Sequence, residues 1–177
     1  LLGLSNIHKL YGAVHALQGV DFHARAGEIV GLVGDNGAGK STLIKIISGV
    51  TPCDIGSMTW MGSPVRIRSP QDARTLGIET MHQQATLVDP LTVYENIFLG
   101  RWIVRRVLGG LVGLLDHREM RRRAAGALSR IGMEMPLEKT AGELSGGQRR
   151  AVAFAATVHA EPRLLILDEP TASLGIN

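Results

Sequence analysis

Cysteine is almost missing from this chain. Cys53 is the single cysteine in 177 residues, so no internal disulfide can form, and the composition fits a reducing cytosol. Aromatic residues are scarce as well: two Trp, two Tyr and three Phe, too few to make a base-stacking platform among the arginines. Arginine clusters at 101, 105 and 106 and at 118, 121, 122 and 123 therefore read as solvated helix faces, and no nucleic-acid partner is expected. Long hydrophobic runs are lacking too. The longest, residues 107–115, has nine residues including three glycines, far short of the about 20 that cross a bilayer. Nor is there a strong charge of one sign, the net charge being +3. What remains is 45% apolar, enough for the core of one domain. The chain opens on Leu1 and stops at Asn177, and both ends read as cuts in a longer protein.

Glycine, by contrast, is plentiful, and it is concentrated where phosphate chemistry needs it. Gly34-Asp35-Asn36-Gly37-Ala38-Gly39-Lys40-Ser41-Thr42 fits G-x-x-x-x-G-K-[ST] without a gap. The apolar run 28–34 (E-I-V-G-L-V-G) predicts a buried strand before it, and 43–48 a helix behind it, closed by Gly49. Such a turn lets backbone N–H groups converge on phosphate oxygens, and the helix start adds unpaired donors and a positive dipole end. Lys40 would reach the β- and γ-phosphates and the Ser41 hydroxyl would ligate Mg²⁺.

Around this cradle the chain alternates strands and helices. Residues 4–8 and 20–24 read as antiparallel strands with Tyr11 in the loop between them; 57–61 and 65–68 read as a hairpin about a Gly62-Ser63-Pro64 turn. Ser69 caps a short helix with Pro70 at its first position, and 77–82 returns as a strand. From Ala85 the texture turns helical. Thr92 caps 93–99, and Asp116 with Glu119 opens a helix to Gly132 whose stripe is Met120, Ala124, Ala127, Leu128 and Ile131. The apolar stretch within 101–115 reads as core. A last helix covers 146–159, and 163–167 forms a strand ending in Asp168-Glu169.

Two further pieces carry chemistry. An acidic pair at a strand's C-terminal end suits Mg²⁺ and an attacking water, although Asp-Glu-Pro is also ordinary turn chemistry. Leu144-Ser145-Gly146-Gly147-Gln148 gives a serine cap and a second anion-directed helix start.

The three strings G-D-N-G-A-G-K-S-T, L-S-G-G-Q-R-R and L-L-I-L-D-E-P-T, in this order, resemble the ATP-binding-cassette ATPases, and L-S-G-G-Q discriminates them from other P-loop proteins. The resemblance implies an α/β P-loop NTPase core with an N-terminal antiparallel β subdomain and a helical subdomain, truncated at its C-terminus. The parts would be 1–84, 85–147 and 148–177 of a single domain, incomplete and by itself inactive. It implies ATP on Tyr11 (stacked on adenine), Gly34, Asn36, Gly37, Ala38, Gly39, Lys40, Ser41 and Thr42. Mg²⁺ would be held by Ser41, Gln83 and Asp168. Glu169 would be the general base, with Gln83 at the attacking water and Gln84 as the alternative register. Ser145, Gly146, Gly147 and Gln148 would meet the ATP of a second subunit in a head-to-tail dimer.

Two departures stand out. The family's switch histidine would lie beyond Asn177, and Ser173-Leu174-Gly175 has glycine where an aspartate is usual. Gly77-Ile78-Glu79-Thr80, L-T-V-Y-E-N-I-F-L-G-R and A-S-L-G further resemble bacterial monosaccharide importers of the fructose type. That resemblance implies a peripheral subunit on the cytoplasmic face of the inner membrane. It would serve an integral-membrane permease and, indirectly, a periplasmic or extracellular sugar-binding protein. An exporter ATPase and a soluble non-transport cassette are the rival expectations.

Overall fold

The structure is a computed structural model, and it describes residues 1–81, 87–107 and 111–168. The chain divides into two compact units, Leu1–Glu79 and Thr80–Asn177.

The first unit is built on a four-stranded antiparallel sheet in the order β2-β1-β3-β4, made of β1 (Leu2–Tyr11), β2 (Val14–Ala24), β3 (Ile55–Trp60) and β4 (Ser63–Val65). Both hairpins turn more tightly than the sequence predicts. Tyr11 is not in a loop but ends β1, paired with Val14, and the second turn is Met61-Gly62, leaving Ser63 and Pro64 in β4. The reason is positive φ at Gly12, Met61 and Gly62, which lets each chain reverse within two residues. Along β1 the buried positions change parity. Leu2 and Leu4 point inward, then Ile7 and Lys9. A bulge at left-handed Asn6, whose N–H donates to Asp21 Oδ1 at 2.7 Å, inserts the extra residue. Lys9 is thereby buried, and its ammonium is matched by Asp54 at 2.7 Å. Asp54 also accepts from Leu10 N–H, and the Lys9 hydrogen bond, first, with that N–H holds its carboxyl below the usual carboxylate range.

Helix α1 (Lys40–Ile47) buries Leu43, Ile46 and Ile47, and α2 (Pro70–Thr75) starts from a reciprocal Ser69–Asp72 capping box, as the sequence predicts. Strand β5 (Ile78–Met81) follows.

In the second unit α3 (Val93–Ile97), α4 (His117–Arg130) and α5 (Gly146–His159) share one core. Val93, Phe98, Met120, Ala124, Leu128 and Val152 lie at its centre. The predicted stripe of α4 is the buried one, with Ile131 partly buried beside it. Strand β8 (Leu164–Leu167) pairs with β5, whose last two residues belong to this unit, and Asp168 N–H donates to the Met81 carbonyl at 3.0 Å.

Two expectations are overturned. Residues 28–34 are not a buried strand: none is in a strand, Ile29 is fully exposed and Val33 nearly so. A strand exists only with a neighbour to take its N–H and C=O groups, and among the described residues no strand pairs with this run. The stretch 101–115 is neither helical nor core. Its described residues form an antiparallel ladder of β6 (Val104–Val107) and β7 (Val112–Leu115), with Leu111, Leu114 and Leu115 in solvent. Glycine-rich, β-branched sequence favours the extended chain there over helix.

Candidate nucleotide site

Gly39 fixes where the cradle sits. It caps α1 with φ +88° and ψ 3°, and a Cβ on it would stand 2.5 Å from the Ala16 carbonyl oxygen and 2.7 Å from Leu17 Cδ2. The start of α1 is thus pressed against β2, a few residues from the turn that follows Tyr11. Tyr11 is half exposed, with the Lys9 ammonium 5.6 Å from its ring centre. Gly34, Asn36, Gly37 and Ala38 are exposed, and a Cβ on Gly37 (φ +87°) would meet nothing within 4 Å.

Helix α1 differs from every other described α-helix at its N-terminus. A side chain caps each of α2, α3, α4 and α5, through Ser69, Thr92, Asp116 and Ser145. Helix α1 has no side-chain cap and no acidic residue in its first turn. Its positive end therefore faces outward unanswered. Lys40 folds back over the loop and donates to the carbonyls of Gly34 at 2.6 Å and Asp35 at 2.8 Å. Ser41 is exposed and Thr42 half-buried on the following positions of the same turn.

The second unit carries the other half of the expected chemistry. Ser145 Oγ accepts from Gln148 N–H at 3.3 Å, and Gln148 Oε1 accepts from Ser145 N–H at 3.0 Å. This reciprocal cap occupies both side chains and leaves Gly146 and Gly147 exposed between them. Asp168 is half-buried at the end of β8. Gln83, Gln84 and Glu169 lie outside the described residues. Their nearest described neighbours, Met81 and Asp168, are the pair joined backbone to backbone.

Sequence reasoning missed three residues here. Arg149, directly after L-S-G-G-Q, donates through one Nη to Asp89 Oδ1 at 2.7 Å and to the Ala141 carbonyl at 2.8 Å. Buried Asn96 accepts from Val88 N–H and donates to the carbonyls of Val88, Leu91 and Thr92. Ala141 N–H donates to Leu91, and Gly142 N–H to Asp89. The segment 87–92 and the approach to α5 thus form one hydrogen-bonded block. An asparagine inside the apolar Val93–Ile97 helix was the available signal, since a buried amide must find partners.

The sequence profile of the ABC transporter family matches residues 17–172. The chain belongs to that family. This ABC ATPase chain is 42% identical over 177 residues to the xylose/arabinose import ATP-binding protein of Sulfolobus acidocaldarius, covering 99% of itself and 68% of that protein. It is 40% identical to the fructose import ATP-binding protein of Rhizobium meliloti, at 99% and 69% coverage. Against the ribose import ATP-binding protein of Geobacillus kaustophilus it is 40% identical, covering 98% of itself and 34% of that protein. The chain thus spans about two-thirds of the length of two of these relatives and about one-third of the other. Among solved structures, an ATP-binding cassette of an ABC transporter superposes with a TM-score of 0.81 at 30% identity, over 97% of this chain and 70% of that one. A dimeric cassette bound to ADP and phosphate gives 0.78 at 26% identity, over 98% and 75%.

Proposed function

We propose that this chain is the ATP-binding and ATP-hydrolysing part of a subunit that powers a membrane importer for a simple sugar. The observation that carries the nucleotide half is the uncapped start of α1 under the folded-back Lys40. The transport half is supported by relatives whose names are those of pentose and fructose import ATP-binding proteins.

In this reading the phosphates take the place of the Gly34 and Asp35 carbonyls as partners of Lys40, and the open N–H groups of α1 receive the remaining oxygens. Gly34, Asn36, Gly37, Ala38, Gly39, Ser41 and Thr42 line the cradle, and Tyr11 stacks on the base. The described residues contain no group of three or more His, Cys, Asp or Glu able to hold a metal alone. Mg²⁺ is commonly held by few protein ligands together with substrate phosphates. Ser41, Asp168 and Gln83 would hold it, and when bound it would neutralise phosphate charge. Glu169 takes the proton of the attacking water and Gln83 orients that water. The exposed Gly146 and Gly147, with Ser145 and Gln148, meet the γ-phosphate of a second subunit in a head-to-tail dimer; that a solved cassette of this family is dimeric supports the pairing of two subunits. A permease, a periplasmic or extracellular sugar-binding protein and a place on the cytoplasmic face of the inner membrane complete the reading. No described helix is long and apolar enough to cross a membrane.

Two substitutions in the full-length protein test it together. Lys40→Ala removes the cradle's cation and should weaken fluorescent-nucleotide binding at least about tenfold. Glu169→Gln should keep that affinity and stop turnover, because an amide still hydrogen-bonds but cannot take the proton. Undiminished binding in the first, or parental turnover in the second, would refute the assignment concerned.

A further inference from the structure

The β6–β7 hairpin stands with neither face covered. Its register pairs Val104 with Leu115 and Arg105 with Leu114, so each pair shares a face of the ribbon. Yet Val104 is 52% exposed, Leu114 50%, Leu115 44%, and Leu111, just before the return strand, 89%. At the base Trp102 is 38% exposed. A lone two-stranded hairpin is marginal in water. This one is fastened where Asp116 N–H donates to the Ile103 carbonyl at 2.8 Å and where Ile103 packs on the helical core. A fixed, apolar, uncovered ribbon is a surface that another phase or molecule covers.

Charge indicates which. Residues 97–115 include Arg101, Arg105 and Arg106 and no Asp or Glu. Four of the five arginines of α4 are already matched: Arg121 pairs with Glu138, Arg130 with Glu161, and Arg122 and Arg123 both pair with Glu119, whose carboxyl their hydrogen bonds hold down to about 2. Arg105 and Arg106 are exposed and make no ion pair among the described residues. Two unmatched guanidinium groups among leucines and valines, with an indole at the base, suit a boundary that is anionic outside and apolar within.

We propose that the β6–β7 hairpin is a membrane-surface contact, with Arg105 and Arg106 on anionic phospholipid headgroups and the flanking Val104, Leu111 and Leu114 in the headgroup–acyl boundary. The contact is independent of the nucleotide chemistry and acts beside it.

Flotation of the purified full chain with phosphatidylcholine vesicles, with and without phosphatidylglycerol, tests this. Binding is expected only to the anionic vesicles, and it should fall with salt. Arg105→Ala with Arg106→Ala should weaken it roughly thirtyfold, about a factor of five per arginine. Leu111→Asp with Leu114→Asp should abolish it. Both double variants should keep fluorescent-nucleotide affinity, which establishes that they are folded. A readout with the hairpin intact comes from the tryptophans. Trp60 is buried and Trp102 is not, so a Trp60→Phe chain should be quenched through Trp102 by brominated anionic lipid. Equal binding to neutral vesicles, parental binding by the arginine variant, or no quenching would overturn the proposal. Retention on native membranes without any affinity for lipid vesicles would overturn it too, and would assign the hairpin to a protein partner.

Discussion

Gly39→Ala puts a methyl group into a space that two atoms already fill. The new Cβ would lie 2.5 Å from the Ala16 carbonyl oxygen, which belongs to the backbone of a paired strand, and 2.7 Å from Leu17 Cδ2. The leucine tip can rotate away; the carbonyl can move only with β2. Alanine would also have to hold φ +88°, a left-handed conformation that costs an L-residue about 1–2 kcal/mol. Forcing extra carbon into a filled site adds about 1–3 kcal/mol. The sum, about 2–5 kcal/mol, is a large part of the roughly 5–15 kcal/mol that holds a typical domain together. Gly37→Ala is the control. Its φ is +87°, nearly the same, but its Cβ would meet nothing within 4 Å, so only the conformational cost applies. Urea unfolding followed by tryptophan fluorescence should therefore place Gly39→Ala below Gly37→Ala by about 1 M in midpoint at unchanged slope. Fluorescent-ATP affinity should fall about tenfold or more in Gly39→Ala, because relieving the overlap moves the start of α1. Equal midpoints for the two variants would refute the claim that contact with β2 positions the cradle.

Two further outcomes follow from the second unit. Asp89→Ala and Arg149→Ala should each lower turnover severalfold while leaving nucleotide affinity intact, and a double-mutant cycle on turnover should show the two effects to be non-additive; Arg149→Lys, which can still reach both acceptors with one ammonium, should rescue most of the loss. His159 packs against Phe98 at 4.5 Å between ring centres with the ring planes tilted by 60°, and burial, then the charges of Arg123 and Arg101, push its pKa below the ordinary histidine value. Its unfolded form binds a proton more readily, so stability should be full above the unfolded pKa of 6.5 and decline as pH falls from there toward the depressed folded value; thermal melting of His159→Phe between neutral and mildly acid pH should show that decline flattened.

Where sequence and structure agree, the agreement comes from signals confined to one segment. Ser145 with Gln148, Ser69 with Asp72 and Thr92 with Glu95 are reciprocal caps written within four residues, and each helix begins where they place it. The buried stripe of α4 is legible for the same reason, since helical spacing alone decides which residues face the core. Apart from the two hairpin turns, which left-handed residues in the turns themselves tighten, the misreadings involve partners distant in sequence. Residues 28–34 have the composition of a central strand, but composition does not supply the neighbour that makes one. The 101–115 stretch has apolar residues enough for a core, and beyond Ile103 no described element covers it. Arg149 and Asp89 are sixty positions apart, so only the folded chain shows them touching. Within the candidate site the start of α1, the capped start of α5 and the end of β8 were legible; their fastening, through Gly39 on β2 and Asn96 under 87–92, was not.

The uncapped start of α1 has a thermodynamic meaning beyond recognition. Every other described α-helix carries its own stop for the first-turn N–H groups, so its formation is settled by the chain alone. In α1 that stop must come from outside. A phosphate there acts as the helix's missing cap, and side-chain caps are typically worth about 1 kcal/mol. Nucleotide occupancy and helical order at α1 are then two descriptions of one equilibrium. Each rise in free ligand above its dissociation constant tightens the first turn, and each loosening of that turn weakens the ligand by the same factor.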